Sequence, residues 1–212
     1  MRTSNFPHYS LGGLAALWVT LGASCPLAQA AVQQNKTEKT VTLTDDKGQL
    51  SLRLNYSNGC VLDQITVRGR QVGGSTGTTS GVQVGGEWFT TRSSNESPKV
   101  NVNRNLVTVK GIAYGKPGAE IREDWSFRTQ ADRIVWKIDR TYPGEVTLDD
   151  TAFPQWNFAS MDAWTGGILG NGGVVWNKYL ENPNSTYGAH TDAVTLWNRE
   201  KNDALRIIPT LS

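Results

Sequence analysis

Hydrophobic and polar residues alternate along most of this chain with a period of two, the spacing expected of β-strands with one buried face. The clearest case is the segment over residues 121–142, IREDWSFRTQADRIVWKIDRTY. Its apolar residues occupy odd positions in the first half and even positions in the second, which predicts two strands joined by a turn. Facing residues of an antiparallel pair must point to the same side, and a four-residue loop over residues 130–133 satisfies this parity.

This register predicts three facing pairs: Phe127 with Trp136, Trp125 with Ile138, and Glu123 with Arg140. Aromatic cross-strand pairs of this kind contribute roughly 0.2–1 kcal/mol each. The charged pair lies on an otherwise apolar face. It has two interpretations, a structural ion pair at the end of the sheet or a pair belonging to a ligand site.

The rest of the chain predicts an all-β fold. Further strands are expected at residues 41–44, 49–55, 60–68, 82–91, 99–102, 106–114, 145–152, 189–199 and 205–208. No ten-residue stretch shows a convincing helical period, and turn signals recur every eight to twelve residues. The Gly/Ser/Thr-rich segment over residues 72–81 is expected to be a loop. This spacing is typical of an antiparallel β-sandwich, here one domain over residues 41–212.

The first 30 residues predict a secretory signal peptide. Arg2 precedes the apolar run LGGLAALWVTLGASCPLAQA, which ends in a small-residue cleavage site at Ala30. The run is too short and interrupted for a membrane span, so we expect a secreted or periplasmic protein without further membrane association. A lipoprotein attached through Cys25 and an uncleaved anchor helix are the alternatives. The polar residues 31–40 are expected to form a flexible leader.

Composition excludes several classes of function. A net charge of +2 without a basic cluster argues against a nucleic-acid partner. Only Cys60 remains after the signal peptide, so no intrachain disulfide can form and a buried structural thiol is expected. The single remaining histidine and the lack of a cysteine pair give no zinc site, and no phosphate-binding glycine motif is present. We therefore expect neither a metal nor a cofactor.

Tryptophan and glycine crowd the segment over residues 153–181, where the backbone is expected to be irregular. A flat indole offers an apolar surface to the C–H face of a sugar ring, and nearby amide and hydroxyl groups can bind sugar hydroxyls. The predicted carbohydrate-binding residues are Trp156, Trp164, Trp176, Trp197, Asn157 and Tyr179. Alternatively, these tryptophans plug the edge of the sandwich or an interface with another domain.

The catalytic residues stay unknown at the level of sequence. Glycoside cleavage requires two carboxyl groups about 5–9.5 Å apart, and many acidic residues could supply them. Asp162, beside Trp164, is the most site-like candidate, and Glu123 with Asp124 is the next. His190 could act as an acid or base near neutral pH, although a lone loop histidine is commonly a surface residue.

The segments EDWSF at residues 123–127 and IVWKIDRTY at residues 134–142 resemble the central hairpin of the galactose-mutarotase-like β-sandwich, or supersandwich. In many secreted glycoside hydrolases this domain precedes an (α/α)6 catalytic barrel. The resemblance implies a non-catalytic N-terminal module that contributes aromatic loops to a sugar site, with carbohydrate and a C-terminal catalytic domain as partners. The chain ends between elements, which is the pattern of a chain truncated at its C-terminus, but the sequence leaves open whether it is a fragment.

Two alternatives stay open. One is a free-standing sugar-active enzyme, mutarotase-like or lyase-like, that uses His190 together with an acidic residue. A mutarotase of this family uses two histidines, from which a chain with one histidine after the signal peptide departs. The other alternative is a lectin-like carbohydrate-binding protein.

Overall fold

The computed structural model describes residues 31–159, 163–169, 174–176 and 193–210, and these ranges consist mainly of antiparallel β-strands. The strands are Ala31–Asn35 (β1), Thr40–Thr44 (β2), Leu50–Asn55 (β3), Val61–Val67 (β4), Arg70–Gln71 (β5), Thr79–Val84 (β6), Glu87–Thr90 (β7), Lys99–Asn103 (β8), Leu106–Tyr114 (β9), Ile121–Gln130 (β10), Arg133–Thr141 (β11), Asp150–Gln155 (β12), Gly166–Leu169 (β13), Val174–Trp176 (β14), Val194–Asn198 (β15) and Asp203–Ile207 (β16). Within these ranges the chain forms no helix long and apolar enough to span a lipid bilayer.

The strands form four sheets. Sheet I has the order β1-β2-β3-β4-β5, sheet II β11-β10-β9-β8, sheet III β12-β6-β7, and sheet IV β14-β13-β15-β16. All four contribute side chains to one apolar core, which includes Leu43 and Leu54 of sheet I, Phe127 of sheet II, Val82 of sheet III and Leu196 of sheet IV. The predicted all-β class is therefore confirmed. Antiparallel sheets that share one core are consistent with a sandwich.

The β10–β11 hairpin has the predicted register. Phe127 pairs with Trp136, Trp125 with Ile138, and Glu123 with Arg140. The strands extend one pair further than expected, because Gln130 also pairs with Arg133, and the turn consists of residues 131–132 alone. The three aromatic rings form one cluster on the inner face, with Phe127 stacked on Trp136 at 5.3 Å and Trp125 edge-on to Trp136 at 4.8 Å.

A bulge in β9 keeps its buried residues on one face. Val109 is buried at an odd position, whereas Ile112 and Tyr114 are buried at even positions. The register with β10 shifts between these two groups, where Gly111 adopts a left-handed φ of 74° and donates its N–H to Asp124 Oδ1 at 2.9 Å. The extra residue restores the inward direction of the side chains that follow it.

Two predicted segments differ from the structure. The expected flexible leader includes strand β1, which forms a backbone ladder with β2 while Val32 packs against the core. A strand at the edge of a sheet is held mainly by its backbone ladder and needs few apolar side chains. The mostly polar sequence of β1 therefore did not predict a strand. The single strand expected over residues 82–91 is instead the β6–β7 hairpin, which turns at Gly85 and Gly86 with φ of 60° and 79°. Two positive φ values match the tight turn that favours such hairpins.

Other boundaries move as well. The segment over residues 72–81, predicted as a loop, includes the beginning of β6, and the strand expected at residues 145–152 begins five residues later as β12. Residues 153–181, expected to be irregular, contain β13 and β14. Gly167 shows why this glycine-rich segment can form a strand. A Cβ at this position would lie 2.8 Å from the Leu196 side chain on the neighbouring strand, so only glycine allows the two strands to pack this closely. Glycine in this segment permits close strand packing as well as irregular backbone.

Candidate functional site

A groove of about 580 Å³ lies at one end of the molecule, where four hairpin turns converge. These are the turns of the β2–β3, β4–β5, β10–β11 and β15–β16 hairpins, and we call this site the end groove. Its apolar lining comes from Leu50, Val67, Ile134 and Trp197. Its remaining lining is polar or charged, apart from Ala204.

Backbone hydrogen bonds fix the turns on the sheet I side of the end groove. The carboxylate of Asp45 is buried and accepts hydrogen bonds from the N–H groups of Gln49 at 2.7 Å and Leu50 at 3.1 Å. The N–H of Asp46 donates to the carbonyl of Gln130 at 3.1 Å, which ties the β2–β3 turn to the end of β10. The groove therefore has ordered walls contributed by two sheets.

Arginine side chains join sheet I to sheet IV. Arg68 donates to the carbonyl of Asn202 at 3.1 Å, and Arg70 Nη2 contacts both carboxylate oxygens of Asp203 at 2.7 and 2.9 Å. Arg70 also lies over the indole of Trp164, 4.9 Å from the ring centroid. This charged hydrogen-bonded pair holds the β15–β16 hairpin against β4 and β5.

Trp197 is the predicted sugar-binding residue that lies in the end groove. It is half-buried on β15, where its register partners are Gly166 on β13 and Ala204 on β16. Facing residues in a sheet lie on the same side. Its two register partners are therefore small, with a hydrogen atom on Gly166 and a methyl group on Ala204. Gly166 is also the register partner of Trp176, which brings both tryptophans to one row of sheet IV.

Each carboxylate that lines the end groove is held by a donor. Asp45 accepts backbone N–H groups, Asp203 pairs with Arg70, and Asp132 accepts a hydrogen bond from Arg133 Nε at 2.9 Å. The Arg133 guanidinium lowers the pKa of Asp132, so this carboxyl group stays charged. These acids fix turns and neighbouring cations, an arrangement that suits binding better than proton transfer.

Trp156 and Trp164, two other predicted sugar-binding tryptophans, contribute to the apolar core. Trp164 is fully buried, and Phe158 meets it edge-on at 6.1 Å, so its indole is out of reach of a sugar. Trp156 is half-buried and packs edge-on against Trp136 at 6.0 Å. For these two residues the structure favours the alternative in which tryptophan fills the sandwich.

Asn157 also has a structural role. Its carbonyl accepts a hydrogen bond from Gly74 N at 2.9 Å, and its own N–H donates to Thr78 Oγ1 at 3.3 Å. Its side-chain oxygen lies against Gly74 in the space that a Cβ there would occupy. The residue therefore ties the segment after β12 to the loop before β6.

The remaining predicted site residues Asp162, Tyr179 and His190 lie outside the described residues, as does the side chain of Trp176. In the described part of the chain, no cluster of three or more His, Cys, Asp and Glu side chains could hold a metal ion.

The Glu123–Arg140 pair is buried inside the molecule. Arg140 Nε donates to Glu123 Oε1 at 2.6 Å, and the exposed fractions of the two side chains are 5% and 0%. The Glu123 carboxylate also accepts hydrogen bonds from the Tyr114 hydroxyl at 2.7 Å, Trp125 Nε1 at 2.7 Å and Ser80 Oγ at 2.9 Å. Four donors thus surround one carboxylate.

The guanidinium of Arg140 is bound on its other side too. It donates to Ser80 Oγ at 2.7 Å, Thr151 Oγ1 at 2.6 Å and the carbonyl of Ala152 at 2.9 Å, and it lies over the Phe153 ring at 4.7 Å. Burial lowers the pKa of Arg140, but the Glu123 charge together with the contributions of Tyr114 and Tyr142 outweighs burial, so the net pKa is raised. Because this network joins sheets II and III and its two charged side chains are at most 5% exposed, the structure favours the structural ion pair over the ligand-site pair.

Cys60 is fully buried beside this network, as expected of a structural thiol. Its N–H donates to the carbonyl of Thr91 at 2.6 Å. Burial raises the pKa of the thiol, and the charge of Glu123 raises it further. A protonated, inaccessible thiol cannot serve as a nucleophile.

Sequence reasoning missed the arginines and asparagines of the end groove. Arg68 and Asn202 are 134 positions apart, and no local pattern marks them as neighbours. The sequence offers only glycine and asparagine, residue types that favour turns, at Gly69 and Asn202. Both have left-handed φ values in the structure, as Arg68 does, but residue type does not indicate where two turns meet.

Comparison with protein-family models, curated proteins and solved structures found no match to this chain. The likeness to the galactose-mutarotase-like sandwich remains a prediction from the hairpin residues. Any proposal about function must therefore depend on the chemistry of the end groove.

Proposed function

We propose that this chain is a secreted, carbohydrate-binding β-sandwich module of a glycoside hydrolase, without catalytic activity of its own, and that sugar binds in the end groove. The observation that carries the proposal is the position of Trp197. Trp197 lines the groove, and its register partners Gly166 and Ala204 are the smallest neighbours that a sheet can offer.

The rest of the groove suits a sugar. An indole binds the apolar face of a pyranose ring, and the side chains of Asn202 and Arg206 can bond to its hydroxyls. Leu50 and Ile134 add apolar surface to the floor. The volume of about 580 Å³ lies within the range of about 300–1,000 Å³ that is usual for small-molecule sites.

The bound carboxylates support a non-catalytic role. Asp45, Asp132 and Asp203 are each held by N–H or guanidinium donors, which leaves the groove without a pair of acids suited to glycoside cleavage. In this proposal the chain binds or orients a polysaccharide, and a partner catalytic domain supplies the acid and base. A lectin-like protein would use the same groove without such a partner.

The test measures polysaccharide binding by affinity electrophoresis for the full chain and for Trp197→Ala. Loss of a stacked indole costs about 1.5 kcal/mol, so we expect roughly tenfold weaker retardation by the bound polysaccharide. Trp88→Ala is the matched control, because Trp88 is 43% exposed on β7, away from the groove. Trp197→Phe keeps an aromatic ring and should retain partial binding. That partial binding would show that substitution at this position leaves the fold intact. Equal binding by Trp197→Ala and the unmodified chain would refute the proposal.

A further inference from the structure

The end groove carries more positive than negative charge on its accessible surface. Its charged lining residues are Arg68, Arg133, Arg199, Arg206, Asp45, Asp132 and Asp203. Asp203 pairs with Arg70 and Asp132 with Arg133, so these two carboxylates are already neutralised. Asp45 is 1% exposed and directs its oxygen to backbone N–H groups. Asp45 and Asp203 are therefore withdrawn from a ligand, whereas Asp132 is half-exposed and is offset by Arg133 beside it.

Two exposed arginines stand apart from these pairs. Arg68 lies in the β4–β5 turn and donates to the carbonyl of Asn202, and Arg206 lies on β16. Within the described part of the chain, neither forms an ion pair with a carboxylate. Arg206 pairs with Thr195, two positions from Trp197 on β15, so it is a diagonal neighbour of the indole on the same side of sheet IV. Such neighbours are about 7–8 Å apart, so the guanidinium and the indole can contact the same ligand.

We propose that the end groove binds an anionic carbohydrate, with a ring stacked on Trp197 and its carboxylate or sulfate groups held by Arg68 and Arg206. The planar guanidinium donates two parallel hydrogen bonds to either group. This inference rests on the proposed function, because it names the class of sugar for the same groove. A nucleic acid is a poorer match, since the net charge is only +2 and the sequence contains no basic cluster.

The first experiment measures binding of the full chain to polygalacturonate and to its methyl-esterified form, which has the same backbone without the charge. A sulfated galactan and its desulfated form provide a second pair, so the two arms distinguish carboxylate from sulfate. We expect at least about tenfold tighter binding to the charged member of one pair, and weaker binding as salt rises from 50 to about 300 mM.

The second experiment removes each arginine. Arg68 and Gly69 have φ of 49° and 77°, the geometry of a tight hairpin turn in which Asn-Gly is favoured. Arg68→Asn should therefore keep or improve stability while weakening anionic binding about tenfold, and Arg206→Gln should do the same to binding. Lys39→Asn is the matched control, because Lys39 is an exposed cation with φ of 52° at the opposite end of β2 from Asp45.

The outcomes separate the two claims. Tighter binding to a charged polysaccharide, lost in Arg68→Asn and kept in Lys39→Asn, supports the inference. Equal binding to the charged and uncharged members of both pairs would overturn the inference and leave the proposed function standing. Binding to single-stranded DNA with no binding to any polysaccharide would overturn both.

Discussion

Replacing Arg140 by methionine removes the guanidinium from the interior between sheets II and III. The change leaves the Glu123 carboxylate, with 0% of its side chain exposed, without its cation. Tyr114, Trp125 and Ser80 still donate to it, but the carbonyl of Ala152 loses its Arg140 donor. The buried charge is therefore hydrogen-bonded but no longer neutralised.

The expected cost follows from this geometry. Breaking a buried ion pair by removing one partner costs about 3–5 kcal/mol, and the Ala152 carbonyl keeps the Ser80 hydroxyl as a donor. Methionine recovers part of this by filling the space, so we expect a loss of about 4 kcal/mol. For a chain of this size that corresponds to a fall in Tm of roughly 8–16 °C.

The assay is urea denaturation followed by tryptophan fluorescence, because Trp125 and Trp136 report on this region. Lys137→Met is the matched control on the same strand, since Lys137 and Asp139 form a pair that is more than half exposed. Such a pair is worth at most about 1 kcal/mol. Glu123→Gln should also destabilise, because the amide must direct a donor at one of the four donors that surround the carboxylate.

The reasoning would be refuted if Arg140→Met cost no more than Lys137→Met. A ligand-site pair predicts a different pattern, in which Arg140→Met abolishes sugar binding and leaves the unfolding midpoint unchanged. A double-mutant cycle between Glu123→Gln and Arg140→Met should give a coupling energy above about 2 kcal/mol.

Three further predictions concern the fold. Burial raises the pKa of Asp124, but bonds from Lys110 Nζ and Gly111 N–H outweigh it, so the net pKa is lowered and the folded-state value lies below the unfolded one of about 3.9. The stability that this carboxylate contributes is present above about pH 4 and is lost as pH falls through the folded-state pKa. Asp124→Asn should therefore flatten that part of the stability–pH curve, measured by urea denaturation. Gly111→Ala should cost about 1–2 kcal/mol in the same assay, because its φ of 74° is strained for alanine. Gly144→Ala should be neutral, because Gly144 has open space around it and no left-handed φ. Equal effects of the two substitutions would contradict the requirement for glycine at the β9 bulge. Cys60 should resist iodoacetamide at pH 8 until the chain unfolds, as followed by peptide mass spectrometry, and rapid native labelling would contradict its burial.

Sequence predicted the β10–β11 hairpin well, because alternation on both strands leaves one parity that buries Trp125, Phe127 and Trp136 together. It missed the β6–β7 hairpin even though Gly85-Gly86 is a strong turn signal. The apolar residues before and after these glycines were interpreted as one continuous strand. Edge strand β1 was missed for the opposite reason, because its ladder needs only Val32 as an apolar contact.

The site was harder to predict than the fold. A buried tryptophan and a sugar-binding tryptophan have the same local sequence, so Trp164 in the core and Trp197 in the groove could not be told apart. What distinguishes them is depth of burial, since Trp164 is fully buried and Trp197 is half-buried, and burial depends on strand pairing over long separations. The convergence of Arg68 with Asn202 has the same origin.

The central claim is that Trp197 is the surface on which a sugar ring stacks. Hydroxyl-radical footprinting tests it directly, by comparing the oxidation rates of Trp197 and Trp88 in the full chain with and without a saturating amount of the best-bound polysaccharide. We predict that oxidation of Trp197 falls at least about fivefold while Trp88 is unaffected. Unchanged oxidation of Trp197 at saturation would contradict the claim and place the sugar elsewhere.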